Sequence, residues 1–506
     1  MGPAIAGVGV EKKIKTENQY YNQIKNQFIM KKFFIPLLTI TAFALGACCG
    51  GEKSALIRTD IPAAEAGQEH MLAFAADPIP VVRVGFIGVG DRGINAVARY
   101  THLEGVEIKA LSDMEPYNID RAQRILSSRG LPAAEGYVGD ENTWKQLCER
   151  DDIDLVYICT DWKNHTPMAV YAMEQGKHVA IEVPAATTLE ECWQLVNTSE
   201  KTRKHCMMLE NCCYDFFEMA TLNMAQQGVF GEVVHVEGAY IHDLRQYQFA
   251  GRLEEGAEYN PDDKEAPLPQ LDGYYDWWRL KFNTAHSGNP YPTHGLGPVC
   301  QILNIHRGDK MDFLVSVSSG QFGLTQFAKE NFGPDSPEAQ QEYLLGDMNV
   351  ALVRTSKGKT IMIQHDVTSP RPYSRLHVVS GTKGFAQKYP AKQIALDPHA
   401  HSAMSQAAMD SILAVYEHPI TREIGDVARK VGGHGGMDFI MDYRLIYCLQ
   451  NGLPLDQDVY DAAEWSSLVA LTEISVMNGG APVEVPDFTR GNWQLLDGLN
   501  LASSAK

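Results

Sequence analysis

The sequence predicts an α/β protein: an N-terminal doubly wound parallel sheet, then a C-terminal α+β domain built on an open, mainly antiparallel sheet. Three observations carry this. A β-branched run, Val81 to Ile87, feeds directly into Gly88-Val89-Gly90-Asp91-Arg92-Gly93. Short apolar runs then alternate with amphipathic ones as far as Leu209, the pattern of parallel strands joined by crossover helices. Beyond Asn211 the pattern becomes strands punctuated by Ser356-Lys357-Gly358 and Gly381-Thr382, which suit hairpins.

Each element follows from its local sequence. A helix over Ile94 to Tyr100 follows the glycines, and a second strand, Val106 to Leu111, leads to Asp113. Asp154 to Cys159 and His178 to Ile181 read as short buried strands, separated by a helix from Pro167 to Gln175 that Gly176 stops. A helix over Leu189 to Lys204 and a strand through Met207-Met208-Leu209 complete the first sheet. The second domain has strands at Val233 to His242, Phe313 to Phe322, Met348 to Arg354, Thr360 to Asp366 and Leu376 to Val379. Helices are expected at Ala403 to Tyr416, Met437 to Leu449 and Ala462 to Met477, while the acidic, Pro-rich and aromatic stretch Gly251 to Thr284 reads as a long functional loop.

The glycine motif is the strongest chemical signal. A strand entering G-x-G-x-x-G at a helix start is what dinucleotide binding requires: Gly88 turns the chain, Gly90 admits a pyrophosphate, and Gly93 lets helix and strand pack. Asp113 stands where an acid can hold the ribose hydroxyls of NAD. A net charge of −19 and a pI near 5.3 argue against a nucleic-acid partner. The 10 cysteines show no metal-ligand spacing, and most read as small buried hydrophobes; no metal is expected.

The N-terminal region reads differently. Met30-Lys31-Lys32 precedes the apolar Phe33 to Leu45, which suits a secretory leader and is too short to span a bilayer. It ends in Leu45-Gly46-Ala47-Cys48, similar to a bacterial lipobox. The expectation is an exported lipoprotein anchored through Cys48 in the periplasm or at the cell surface. Residues 1–29 then read as a misassigned start or artefact, 30–47 as signal peptide, 48–80 as a tether, 81–210 as the nucleotide-binding domain and 211–506 as the substrate domain. Self-association is left open.

Residues just beyond strand ends line ligand clefts in doubly wound folds. Three such places stand out: Thr160 to His165, Glu182-Val183-Pro184, and Glu210-Asn211. Farther on, two prolines hold Tyr291 and His294 in Asn289-Pro290-Tyr291-Pro292-Thr293-His294-Gly295, a stiff and poorly helical segment. Histidine can shuttle protons near neutrality. Arg279 after Trp277-Trp278 could bind a sugar, and Tyr373 could act as a phenolic acid or base. Read singly, each of these is more often an ordinary part of a packed loop or turn. His434, within Gly432 to Gly436, reads as a loop before a helix.

Together, Glu182-Val183-Pro184, Glu210-Asn211-Cys212-Cys213-Tyr214, Tyr240-Ile241-His242-Asp243 and Tyr291-Pro292-Thr293-His294 resemble glycoside hydrolase family 109, NAD-dependent α-N-acetylgalactosaminidases of the glucose-fructose oxidoreductase superfamily. The resemblance runs from Val81 to the C-terminal region. It implies a Rossmann domain and a redox-neutral cycle of oxidation at sugar C3, elimination, water addition and reduction. By the same resemblance Gly88, Gly90, Asp91, Arg92, Asp113, Trp162, Lys163, Asn164, His165, Glu182, Val183 and Asn211 surround NAD. Tyr240, Arg279, Tyr291, Pro292, Thr293, His294 and Tyr373 surround a terminal N-acetylgalactosamine, with His294 and Tyr373 handling protons or polarising the C3 oxygen and Tyr214 a candidate base at C2. Dehydrogenases of the superfamily commonly carry lysine where this chain has Val183. That departure favours hydrolysis over one alternative, a sugar dehydrogenase; against the other, a non-catalytic glycan-binding lipoprotein, stands the intact dinucleotide fingerprint.

Overall fold

The computed structural model describes residues 56–250 and 273–501. The expected leader, the lipobox and the acidic stretch 251–272 lie outside the described residues.

The first sheet contains β1 (Val82–Ile87), β2 (Val106–Asp113), β3 (Glu135–Val138), β4 (Leu155–Ile158), β5 (His178–Ile181) and β6 (Cys206–Met208). Its order is β3-β2-β1-β4-β5-β6, with every neighbouring pair parallel. All residues of β4 and β5 are buried, as in a sheet covered on both faces. The strand order reverses between β1 and β4, and the carboxyl ends of the strands open a cleft there.

The helix after β4 corrects one expectation, since it begins at Trp162 and runs to Glu174 with Pro167 inside it. Asp161, extended at φ −73 and ψ 158, provides the start. Pro167 forfeits a single backbone bond, to the Lys163 carbonyl, and the remaining turns hold the helix. The helix Leu189–Thr202 begins with a capping box between Thr188 and Glu191.

The second sheet has β7 (Val233–Ile241), β8 (Met311–Ser318), β9 (Asn349–Thr355), β10 (Thr360–Asp366), β11 (Ser374–Gly381), β12 (Gly384–Gln387), β13 (Gln393–Leu396) and β14 (Val483–Glu484). The order is β13-β12-β11-β7-β10-β9-β8-β14, antiparallel throughout except for the β7 and β10 pair. The segment expected to be poorly helical forms the helix Thr293–Leu303 on β7. Gly238 and Gly295 make this contact: a Cβ on Gly295 would overlap the Ala239 backbone nitrogen, and one on Gly238 would overlap the Gly295 carbonyl.

Two C-terminal helices, Met437–Asn451 and Val459–Met477, return to cover the first sheet. Tyr157 of β4 donates to Asp442 at 3.3 Å, and the Ala185 N–H donates to Ser466 Oγ at 3.1 Å. The part of the expected tether that is described, 56–80, also packs on the fold. Met71 and Leu72 are buried, the Met71 N–H donates to Tyr460 at 3.0 Å, and Ile79 N–H donates to the Leu449 carbonyl. These apolar anchors and backbone bonds make it an arm of the domain.

Candidate active site

The glycine turn behaves as its chemistry requires. Gly88 has φ +81, and a Cβ on it would lie 2.5 Å from the Cys159 carbonyl oxygen; on Gly93 it would overlap the Gly88 carbonyl. At Gly90, by contrast, a Cβ would meet nothing nearer than Asn118 Nδ2 at 3.9 Å. The close approaches of Gly88 and Gly93 build the turn, while the open side of Gly90 leaves room for a phosphate at the start of the helix Asp91–Tyr100. Asp113, at the end of β2, accepts from the Val89 N–H at 2.8 Å, and burial pushes its carboxyl up against the hydrogen bonds from Glu115, Asn118 and Val89. These residues fit a dinucleotide.

Around the same cleft, Arg92 donates to Glu182 at 2.5 Å and to Asp438 at 2.8 Å. Burial alone would lower the Arg92 pKa, but the two carboxylates hold it well above the usual value. Asn211 donates to the other oxygen of Asp438 at 2.5 Å. Asp91 is exposed at the head of the helix, with Arg121 3.8 Å from its carboxylate. Lys163 and Asn164 are exposed in the first turn of Trp162–Glu174. His165 is different, because its ring is buried with Nδ1 2.8 Å from the Pro184 carbonyl and Nε2 3.0 Å from that of Thr160. Its two nitrogens brace the loops after β4 and β5, so the structure makes it a support of the cleft, a correction to its expected contact with the cofactor.

Trp162 joins this cleft to a second, aromatic one. Its indole donates to the Val183 carbonyl at 3.2 Å, and its ring lies 5.9 Å from that of Tyr291. Tyr240, on β7, packs against Tyr291 at 4.6 Å, His294 at 5.4 Å and Tyr373 at 6.3 Å. The Arg279 guanidinium sits over Tyr274 at 4.1 Å, Trp162 at 4.7 Å and Tyr291 at 4.9 Å. Its Nε is buried without a hydrogen-bond partner among the described residues. Flat aromatic faces with a buried guanidinium are suited to stacking on and hydrogen-bonding a sugar ring.

The histidine of this pocket is fixed by its neighbours. His294 Nδ1 lies 2.8 Å from Glu210 Oε1 and 3.0 Å from Oε2, while Nε2 faces the Tyr291 hydroxyl at 3.4 Å. A carboxylate only accepts, so Nδ1 carries the proton and Nε2 is left to exchange one with a ligand. Burial would raise Glu210, but the facing His294 and its hydrogen bonds hold the carboxyl below its usual range. Gly297 permits this pair, since a Cβ there would stand 2.7 Å from Glu210 Cγ. Pro292 occupies the N-cap position of the same helix, and Thr293, its first residue, is buried beside the pair.

Tyr214 does not reach this pocket, which corrects its candidacy as a base. It ends the 3-10 turn Asn211–Tyr214, and its hydroxyl donates into the core to Asp456 at 3.4 Å, beside Arg444. Burial holds this phenol well above its usual pKa. The Tyr373 phenol is raised too, chiefly by desolvation, yet the side chain stays exposed at the pocket, with His242 at 5.1 Å. Such a phenol is a hydrogen-bond donor and a poor base.

Sequence reasoning left out Asp438, Tyr274 and Arg375, and treated Glu210 only as a position after a strand. Arg375 donates to Cys212 Sγ at 2.9 Å and to Asp215 and Glu218. Among the described residues, Glu210, Cys212 and His294 bring three donor atoms together, as do His306, Asp458 and Asp461. In both groups an arginine already holds one donor, Arg375 on Cys212 and Arg307 on Asp461, and neither group is assigned to a metal.

A Rossmann cleft that opens onto an aromatic, arginine-containing pocket on a second open sheet defines an NAD-binding enzyme built to act on sugars. The chain belongs to glycoside hydrolase family 109. Residues 214–495 match the family described as glycosyl hydrolase 109, C-terminal domain, and residues 82–210 match the oxidoreductase family, NAD-binding Rossmann fold. The chain is 60% identical over 427 residues, 84% of its own length and 96% of the relative's, to an alpha-N-acetylgalactosaminidase of Bacteroides fragilis. A glycosyl hydrolase family 109 protein of Porphyromonas gingivalis is 48% identical over 489 residues, covering 93% and 99% of the two chains. Among solved structures, an oxidoreductase domain protein from Kribbella flavida superposes with TM-score 0.59 at 16% identity over 81% of this chain and 100% of that one. A levoglucosan dehydrogenase in complex with NADH and levoglucosan gives TM-score 0.58 at 17% identity, over 80% and 100%. These two likenesses establish the fold.

Proposed function

We propose that the protein hydrolyses terminal α-N-acetylgalactosaminides in a cycle without net redox change. The observation that carries the reading is the pair of buried Glu210 and half-buried His294, with the Tyr291 hydroxyl at the free ring nitrogen, beside a strand end where Val183 offers no proton-carrying group. The activity printed for the Bacteroides fragilis relative supports the choice of sugar.

Bound NAD supplies a reversible hydride acceptor at C3, which makes the neighbouring C2 proton acidic enough to remove. His294 Nε2 takes the C3 hydroxyl proton, and Glu210 stabilises the imidazolium so formed. Tyr373, whose phenol keeps its proton, donates a hydrogen bond to the C3 oxygen. With Tyr214 turned into the core, the C2 proton falls to His294 through the Tyr291 hydroxyl once His294 has released the C3 proton to solvent, and the proton taken from C2 then passes to the departing glycosidic oxygen. Trp162, Tyr240 and Tyr291 hold the ring faces, and the unpartnered Arg279 Nε–H serves a sugar oxygen.

The test is p-nitrophenyl α-N-acetylgalactosaminide turnover, with phenol release and 340 nm absorbance followed together. Many turnovers without net NADH are expected. NADH accumulating in step with sugar, without phenol, would establish a dehydrogenase, and sugar binding without either signal a binding protein.

For the leader, the Met30 to Cys48 pattern supports export as a lipoprotein anchored through Cys48. In a bacterial host, Cys48→Ala should abolish radiolabelled palmitate incorporation; a wild-type chain that takes up no label would overturn the anchor.

A further inference from the structure

We propose that His434, on its glycine loop, is a contact that holds bound NAD in place and slows its release. The inference needs an NAD-binding chain and is independent of which glycoside is cleaved. It starts from a backbone that the fold alone does not explain. Five successive residues have positive φ: Gly432 at 93, Gly433 at 80, His434 at 45, Gly435 at 75 and Gly436 at 109. Glycine adopts these angles freely, whereas a β-carbon-bearing residue there costs on the order of 1–3 kcal/mol. The single side chain kept within this run is a histidine.

The path of the loop is fixed by what it touches. A Cβ on Gly433 would lie 2.7 Å from Asp438 Cβ and 3.0 Å from Arg99 Cδ, and one on Gly436 would lie 2.9 Å from the Ala428 backbone. His434 Nδ1 lies 2.9 Å from Asp438 Oδ2, so the ring is held through that nitrogen, while the side chain as a whole is 60% exposed. Asp438 is also the carboxylate that binds Arg92, of the glycine turn, and Asn211. Arg92 in turn binds Glu182 at the end of β5. One carboxylate therefore ties the loop to residues on both walls of the dinucleotide cleft. His434 is one hydrogen bond removed from them, through Asp438, and its side chain is largely exposed.

The reaction gives such a contact a purpose. A hydride taken from the sugar must return to the same intermediate, and a reduced cofactor that escapes leaves the cycle unfinished. The G-x-G-x-x-G turn belongs to the first domain, whereas this loop comes from the second, so the cofactor would be held from two separate parts of the chain.

The experiment loads the full-length protein with NADH and follows its fluorescence during a chase with excess NAD+. Two variants are compared with wild type, His434→Ala and His434→Gln, the second keeping an N–H donor. Release from His434→Ala is expected to be about tenfold faster, since loss of a contact appears mainly in the off-rate. His434→Gln should fall between it and wild type. Release within twofold of wild type from both variants, with unfolding midpoints unchanged, overturns the proposal, as does a wild-type chain that binds no NADH. If His434→Ala fails to fold, the off-rate of His434→Gln alone decides. A chain that retains NADH yet cleaves no α-N-acetylgalactosaminide would refute the substrate reading and leave this one standing.

Discussion

Replacing Glu210 with glutamine keeps the shape of the site and removes the charge beneath His294. The amide can still accept from Nδ1, but it cannot stabilise an imidazolium, so Glu210→Gln should lower kcat by roughly 10²- to 10⁴-fold, the span general acid and base catalysis covers. Phenol release from the p-nitrophenyl glycoside reads this directly, and the content of bound NAD after purification should match wild type. The two tyrosines separate by the same logic. Tyr373→Phe removes a donor at the pocket and should slow turnover at least tenfold. Tyr214→Phe removes only the hydrogen bond to Asp456, so it should cost about 1 kcal/mol in urea unfolding and leave kcat close to wild type. A kcat collapse in Tyr214→Phe would return that residue to the mechanism.

At the scale of elements, one helix decides the geometry of the pocket. Thr293–Leu303 lies directly on β7 because Gly238 and Gly295 bring two backbones together. Gly295→Ala forces them apart, and overpacking of this kind costs about 1–3 kcal/mol. The displaced helix carries His294 away from Glu210, so turnover should fall by more than the loss of stability explains, measured as kcat on protein shown to be folded by circular dichroism. This helix also shows where sequence reading runs out. Gly295, Gly297 and Pro298 are poor helix formers, and their reason for being there lies in Gly238 of β7 and in Glu210, both distant in sequence. Strands such as β5 and β10, whose burial is written in a continuous or alternating apolar run, were legible to the residue. The same contrast holds in the site. Asp113 and Glu182 follow strands and could be named. Asp438 could not, because its partner Arg92 is 346 residues away. Tyr214 was misassigned because its neighbours reach the cleft, while the short turn Asn211–Tyr214 aims its own ring into the core.

At the scale of the whole molecule, buried histidines set the response to acid. Burial is the main cause that holds His178 and His418 down to about 4 and His365 and His377 down to about 3. Folding thus favours their neutral forms, and the stability this gives is complete above the unfolded value of about 6.5 and is lost as pH falls toward the folded values. Each contributes a slope of about 1.4 kcal/mol per pH unit in that window. Asp442, pushed up to about 6 by burial, and His306, which burial would lower but Asp461 and Asp458 hold well above its usual value, act in the opposite sense, but they oppose these four and the likewise depressed His165 and His205. The unfolding midpoint should therefore drop steadily from pH 7 to pH 5, and a flat profile over that range would contradict this account. A last consequence follows from the return of the C-terminal helices. Arg99 pairs with Asp442 at 2.6 Å, and Ile57 bridges to Val483. A ribosome making this chain releases the nucleotide-binding strands long before the residues that cover them. Until then an apolar sheet face waits uncovered and Arg99 waits without the carboxylates of Asp438 and Asp442. The cofactor cleft is thus assembled late in synthesis, and a nascent chain stalled before Asp438 would be a substrate for chaperones.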